Sequence, residues 1–154
     1  MASIDIRVQA EDFDIGVETK KVRAIDGDAG AIVTFSGICR DEGGRLGALE
    51  LEHYPGMAET EIGRIAADAA VRWPLSAITI IHRYGRMMPG DNIVLVVTAS
   101  AHRQAAFEAA SFLMDFMKTR APFWKKEVLS DKSQPSRWVS ARHEDDHAER
   151  RWRR

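Results

Sequence analysis

The stretch Lys118-Thr-Arg-Ala-Pro-Phe-Trp-Lys-Lys126 concentrates residue types able to do chemistry. Lys118, Arg120, Lys125 and Lys126 place four cations within nine residues, with Phe123 and Trp124 between them. The helix dipole favours cations at a helix C-terminus, which makes Lys118 and Arg120 ordinary capping residues on the simplest view. That effect calls for neither Lys125 and Lys126 nor two large aromatic rings between the charges. A basic corner walled by Phe123 and Trp124 is either a pocket for a flat, anionic small molecule or a solvated edge.

The elements around this stretch predict how it is held. An apolar-rich helical run from Arg103 to Met117 delivers Lys118 at its end. Pro122 then forces the chain out of helix, and Phe123 to Leu129 reads as a strand. Ser100 is the expected N-cap of that helix, with His102 and Arg103 in its first turn. Free N–H groups and the positive dipole end make such a turn an anion site or a solvated, charged helix start. Sixteen residues separate His102 from Lys118, ~24 Å at the helical rise. One pocket in one subunit could hardly use both ends, unless the substrate is long or a second subunit contributes.

Ile4, Ile6 and Val8 alternate with polar residues as in a half-buried strand. Glu11 to Asp14 cap a helix running to about Ile25. Ala31 to Arg40 reads as a strand with Gly37 inside it, a sign of a bulge or a close backbone approach. Arg40 closes that strand beside the Gly-rich loop Asp41 to Arg45, and Ala48 to Tyr54 returns. A second helix starts at Pro55-Gly56 and stops at Pro74. Ile78 to Arg83 and Asn92 to Ala99 are β-branched runs, the latter apolar enough for a central strand covered on both faces. Arg137 to Val139 makes a short last strand. The predicted order, β-α-β-β-α-β-β-α-β-β, argues for an α+β fold. Residues 1–140 form a single domain in this reading, and 141–154 a charged C-terminal tail.

Composition narrows the class. The 154 residues are 45% hydrophobic and 29% charged, as in an ordinary globular domain. With 22 basic and 23 acidic residues the net charge is -1, so any positive patch is local. The longest apolar run, Ile93 to Ala99, is far short of the roughly 20 residues of a membrane span. No basic-then-apolar leader opens the chain, so a cytoplasmic location is expected. The single cysteine, Cys39, can build neither a disulfide framework nor a thiolate metal site, and reads as a core thiol. His143-Glu-Asp-Asp-His147 matches the zinc-protease pattern but sits in a charged tail without a third ligand, and the zinc reading is rejected. Arg150 to Arg154 is a weak nucleic-acid footprint in a neutral chain and reads as a solvated tail.

Several blocks occur in an order that resembles one family: Phe35-Ser-Gly-Ile-Cys-Arg-Asp41, Leu51-Glu-His-Tyr-Pro-Gly-Met57, Arg72-Trp-Pro-Leu75, Ile81-His-Arg83, Pro89-Gly-Asp91, Ser100-Ala-His-Arg103 and Lys118 to Lys125. The chain is similar, from about Ile4 to Trp138, to the large, catalytic subunit of molybdopterin synthase. The resemblance implies an α/β hammerhead fold with an additional antiparallel β subdomain. It implies a sulfurtransferase that adds two sulfurs to cyclic pyranopterin monophosphate, drawn from the C-terminal Gly-Gly thiocarboxylate of a small ubiquitin-like subunit. The implied assembly is a homodimer of large subunits within a heterotetramer, with residues of both large subunits lining a site. Neither membrane nor nucleic acid is implied as a partner, and neither metal nor resident cofactor, the pyranopterin being substrate. By position, Lys118 and Lys125 resemble the catalytic lysines. Ile38, Cys39, Arg40, His102, Arg103, Lys126, Glu127 and Arg142 resemble substrate contacts, Arg142 offered to the neighbouring subunit. A lysine crowded by other cations has its pKa pushed down from about 10.4, which suits proton transfer near neutrality. The competing reading is a non-catalytic module that binds an anionic nucleotide or RNA on the same basic face.

Overall fold

The apolar run after Asn92 becomes an inner strand because both of its faces find a layer to bury against. In the computed structural model, which describes residues 1–139 and 148–152, this strand pairs on both sides. The elements are β1 (Ser3–Gln9), α1 (Ile15–Arg23), β2 (Ala31–Ile38), β3 (Leu46–His53), α2 (Met57–Arg72), β4 (Leu75–Arg83), β5 (Gly85–Met87), β6 (Asn92–Ser100), α3 (Arg103–Arg120), β7 (Phe123–Leu129) and β8 (Arg137–Val139). One sheet has the order β1-β4-β6-β2, with β1 parallel to β4 and the other pairs antiparallel. The second, wholly antiparallel, has the order β5-β3-β7-β8. This is the expected α+β architecture with its added antiparallel subdomain.

Strand alternation divides the core. Ile78, Ile80, Val94 and Val96 face α2 and α3, where they meet Ile62, Ile65, Phe112 and Leu113. Ala77, Ile81, Leu95, Val97 and Ala99 face Val22 of α1 and Phe13. Each fully buried Ile, Leu or Phe contributes about 1.5–3 kcal/mol, so these layers dominate stability. A third cluster, Cys39, Leu46, Leu51 and Met87, ties the second sheet to the end of β2.

Local signals hold with three corrections. Asp14 caps α1 by accepting the Val17 N–H at 3.0 Å, although the helix ends at Arg23 rather than Ile25. Trp73 adopts extended backbone directly before Pro74 and ends α2. Ser100, the expected N-cap of α3, is instead the last residue of β6, and its hydroxyl donates to the Pro74 carbonyl at 2.9 Å. His102 takes the N-cap position without a side-chain cap. The sequence order also lacks β5: three residues are too few to show a period, and Gly85–Met87 is a strand only because β3 offers it an edge.

The charged C-terminus is not simply solvated. Glu149, 3% exposed, accepts from Arg120 Nε and Nη2 at 3.1 and 2.8 Å and from the Thr119 hydroxyl. Arg151 bonds Asp115 at 2.8 Å and the Ser111 hydroxyl at 2.6 Å. Trp152 stands edge-on to Trp73 and Phe112 at 5.6 Å, and its carbonyl accepts from Arg72. Residues 148–152 therefore clamp the last turns of α3. No helix among the described residues is long and apolar enough to cross a membrane. Trp152→Ala should lower unfolding free energy by about 2 kcal/mol, less than a fully buried Trp would. Urea denaturation measures it, and an unchanged midpoint would contradict the docking.

Candidate functional site

The apolar stripe of α3 ends in a lysine. Met114, Met117, Lys118 and Ala121 follow helical spacing, so they share the face that covers the first sheet. The aliphatic stem of Lys118 can continue that stripe while its ammonium reaches polar space. Pro122 turns the chain, and β7 sends Phe123, Lys125 and Glu127 to one face and Trp124, Lys126 and Val128 to the other. Lys118 and the first of these faces meet over a cavity of about 390 Å³. Its lining includes Phe35, Ile38, Arg40, His82, Lys118, Phe123, Lys125 and Glu127. That volume lies in the usual range of small-molecule sites.

The floor is a row across the first sheet. His82 pairs with Val94, and Val94 with Gly37. The register slips between Gly37 and Ile38, and a Cβ at Gly37 would come within 2.6 Å of Val94 Cγ1. Of the two features expected at this glycine, the bulge is present, and the space where a side chain would stand is taken by the Val94 side chain. The bulge turns the end of β2 and carries Ile38 and Arg40 to the cavity mouth. Ile38 and Phe35 are 53% and 40% exposed there, giving the mouth an apolar rim.

Charge at the site is local, as net neutrality requires. Glu127 is held by Arg45 at 2.9 Å and Arg137 at 3.0 Å. Hydrogen bonds from Arg45, above all, keep its carboxyl below the usual carboxylate range. Arg45 and Arg137 are thereby offset, as Arg120 is by Glu149. Neither Arg40 nor Lys118 has an ion pair among the described residues.

The expected site residues divide. Ile38, Arg40, Lys118, Lys125 and Glu127 share the cavity. Cys39 lies beside it, 2% exposed, with its N–H donating to Asp91 and its carbonyl accepting from Gly90. Burial pushes its thiol pKa up, as suits a core residue. Lys126 sits on the opposite face of β7, its Nζ 5.8 Å from the centre of the Trp138 ring. Trp124, expected as a wall, faces away too and packs edge-on to Tyr54 at 5.5 Å. A strand cannot aim adjacent residues into one pocket, so Phe123 is the wall and Trp124 is not. His102 and Arg103 are exposed at the other end of α3, outside this cavity. Arg142, His143 and His147 fall outside the described residues.

His82 was missed as a site residue. Its signal was phase: it continues the Ile78–Ile80 row of β4 as a polar residue at an apolar position. The ring is 8% exposed and stacks on Phe123 with centroids 3.7 Å apart. Its Nδ1–H donates to the Arg83 carbonyl at 2.8 Å. Burial lowers its pKa from 6.5 to about 4, against the opposing hydrogen bond to Arg83 and with help from the charges of Lys125, His53 and Lys118.

The MoaE protein family matches residues 8–120. The chain belongs to this family. It is 61% identical over 148 residues to a molybdopterin synthase catalytic subunit of Mesorhizobium japonicum, across 96% of this chain and 92% of that one. Its fold superposes on molybdopterin cofactor biosynthesis protein E of Burkholderia multivorans with TM-score 0.83 and 46% identity, covering 97% of each chain. A Helicobacter pylori complex of subunits 1 and 2 of molybdopterin-converting factor contains the same fold, at TM-score 0.71 and 21% identity, covering 90% of this chain and 91% of that one. Activity in this MoaE chain is that of a molybdopterin synthase catalytic subunit, a sulfurtransferase of molybdenum cofactor biosynthesis. The nucleotide- or RNA-binding alternative finds no support among these relatives.

A pH dependence follows from His82. Between pH 6.5 and about 4 the unfolded chain binds a proton that native His82 refuses. Stability is therefore full above pH 6.5 and falls as pH drops through that window, by up to roughly 3 kcal/mol. His82→Phe should flatten this part of the profile in urea titrations from pH 4 to 7.5. Identical slopes in both proteins would contradict the assignment.

Proposed function

We propose that the cavity shared by Lys118, Lys125 and Arg40 is where this chain carries out the sulfur transfer of its family. The carrying observation is the gathering of these cations, from α3, β7 and the segment that follows β2, over one hollow with an apolar mouth. The proposed substrates are cyclic pyranopterin monophosphate and the C-terminal thiocarboxylate of a small ubiquitin-like subunit. Both are anions, and fixed Arg and Lys side chains suit phosphate and carboxylate. The exposed Phe35 and Ile38, with Val139 on the far lip, offer apolar contact to an entering peptide tail.

A thiocarboxylate sulfur is already nucleophilic, so the protein need supply neither nucleophile nor metal. Attack forms a carbon–sulfur bond to the pterin side chain and leaves the small subunit attached through its acyl carbon. Water then cleaves the acyl–sulfur bond, returning a carboxylate and leaving sulfur on the pterin. Two rounds give the dithiolene. Opening the cyclic phosphate and losing water need protons delivered and removed at fixed positions. Lys118 is assigned to anchor the thiocarboxylate or its acyl intermediate, and Lys125 to acid/base work at the side chain; the converse assignment uses the same geometry. His102 and Arg103 would serve the site of a second copy, in a homodimer of large subunits carrying one small subunit at each end. Arg142 is proposed for the same neighbouring site.

Lys118→Ala should fold normally and reduce dithiolene formation to background, assayed with cyclic pyranopterin monophosphate and a thiocarboxylated small subunit. Near-normal turnover would remove Lys118 from the mechanism. Replacing His143 and His147 together by Ala should leave turnover within about twofold, since the sulfur transfer outlined above calls on neither histidine. A metal-reversible loss in that double variant would restore the zinc reading.

A further inference from the structure

The helix turn that carries Lys118 ends differently from the other two helices. The Ala24 N–H closes α1 onto the carbonyls of Lys20 and Val22, and the Trp73 N–H closes α2 onto that of Ala69. After α3 the cap residue Ala121 is extended, and among the described residues its N–H makes no such bond. Pro122 follows and has no N–H to offer. A helix end with unsatisfied carbonyls frays unless something else holds it. Here side chains do so. The Glu149 carboxylate accepts from the Thr119 hydroxyl and from Nε and Nη2 of Arg120 at 3.1 and 2.8 Å, and so grips both residues that follow Lys118. Glu149 is anchored in turn. Its carbonyl accepts the Trp152 N–H at 3.1 Å, and Trp152 packs on Trp73 and Phe112. Arg151 bonds Ser111 and Asp115, which share a helix face with Thr119.

We propose that Glu149 is a positioning residue for Lys118: by gripping Thr119 and Arg120 it holds the uncapped last turn of α3 in the rotation that sets the Lys118 side chain over the cavity. The proposal rests on the reading of Lys118 as the anchor for the thiocarboxylate. Glu149 is 3% exposed. A buried ion pair contributes little net stability beside apolar packing of the same volume. What a buried carboxylate adds at this place is direction, since its bonds fix the rotation of the turn about the helix axis. Lys118 has no ion pair among the described residues, so its aim comes from the backbone that carries it. A last turn that tightened from 3.6 to about 3.0 residues would swing each side chain by ~20°, or ~2 Å at the helix surface. Misplacement of about 1 Å can already cost a reaction roughly 100-fold.

The experiment compares wild type, Glu149→Ala, Glu149→Gln, Thr119→Val and Val22→Ala in the full chain, assayed with cyclic pyranopterin monophosphate and a thiocarboxylated small subunit. Val22→Ala opens the core on the far side of the first sheet and is the control for lost stability alone. The expected result for Glu149→Ala is a kcat about 10- to 100-fold lower with KM within about threefold. Glu149→Gln keeps an acceptor oxygen and should recover most of that loss, while Val22→Ala should keep the wild-type kcat. Thr119→Val is nearly isosteric, removes one grip and should lower kcat by about three- to tenfold; it decides the matter where Glu149→Ala does not fold. A second readout is the NMR signal of Lys118 after reductive ¹³C-methylation, identified by its loss in Lys118→Ala. Its position should move to that of freely rotating lysines in Glu149→Ala and stay put in Val22→Ala. Wild-type kcat in folded Glu149→Ala or Thr119→Val overturns the proposal, as does a Glu149→Ala loss no larger than that of Val22→Ala. An active Lys118→Ala would instead defeat the underlying assignment of Lys118, and the methyl signal tells that failure from a failed clamp.

Discussion

Everything at this site depends on a corner: a helix end and a strand start joined across Pro122. Helical spacing fixes where Lys118 points, strand alternation fixes where Lys125 points, and proline prevents either element from running into the other. The apolar layers then fix the corner in space. Met114 and Met117 press α3 onto the first sheet, while β7 is held between β3 and β8. The far side of α3 is secured by Glu149, Arg151 and Trp152. A lysine on a frayed last turn could not keep one position; a lysine on a clamped turn can.

Electrostatics follow from the same packing. A chain with almost no net charge cannot attract two anions by its overall field. It does so by pairing away the cations it does not need. Glu127 satisfies Arg45 and Arg137 at the rim, and Glu149 satisfies Arg120 behind the helix. The imidazole of His82 stays neutral because burial outweighs its hydrogen bond to Arg83. What faces the hollow is then a small set of fixed positive groups set in apolar walls, where charge interactions are stronger than in water.

Most of the fold was legible because long periods survive tertiary context. The run Ile93–Ala99 announced an inner strand, Asp14 announced a cap, and Gly37 announced a bulge. Features that only a neighbour creates were not legible. β5 is a strand because β3 is beside it, Ser100 was taken by β6 and Pro74 before it could cap α3, and Arg151 of the tail finds Ser111 and Asp115. Within the site, Lys118 and Lys125 stood out by type. The period-two rule alone would have separated Lys125 from Lys126 and Phe123 from Trp124, and placed His82 in line with Ile80. The position of His102 and Arg103, a helix length from Lys118, was visible as a distance before any coordinates.

The central claim is that Lys118 and Lys125 act on one bound anion in one hollow. A double-mutant cycle on equilibrium binding of cyclic pyranopterin monophosphate tests it directly, using Lys118→Gln, Lys125→Gln and both together at constant salt. A shared ligand predicts non-additive losses, with a coupling of at least about 0.5 kcal/mol. Losses that simply add, as for two residues at separate sites, would contradict it.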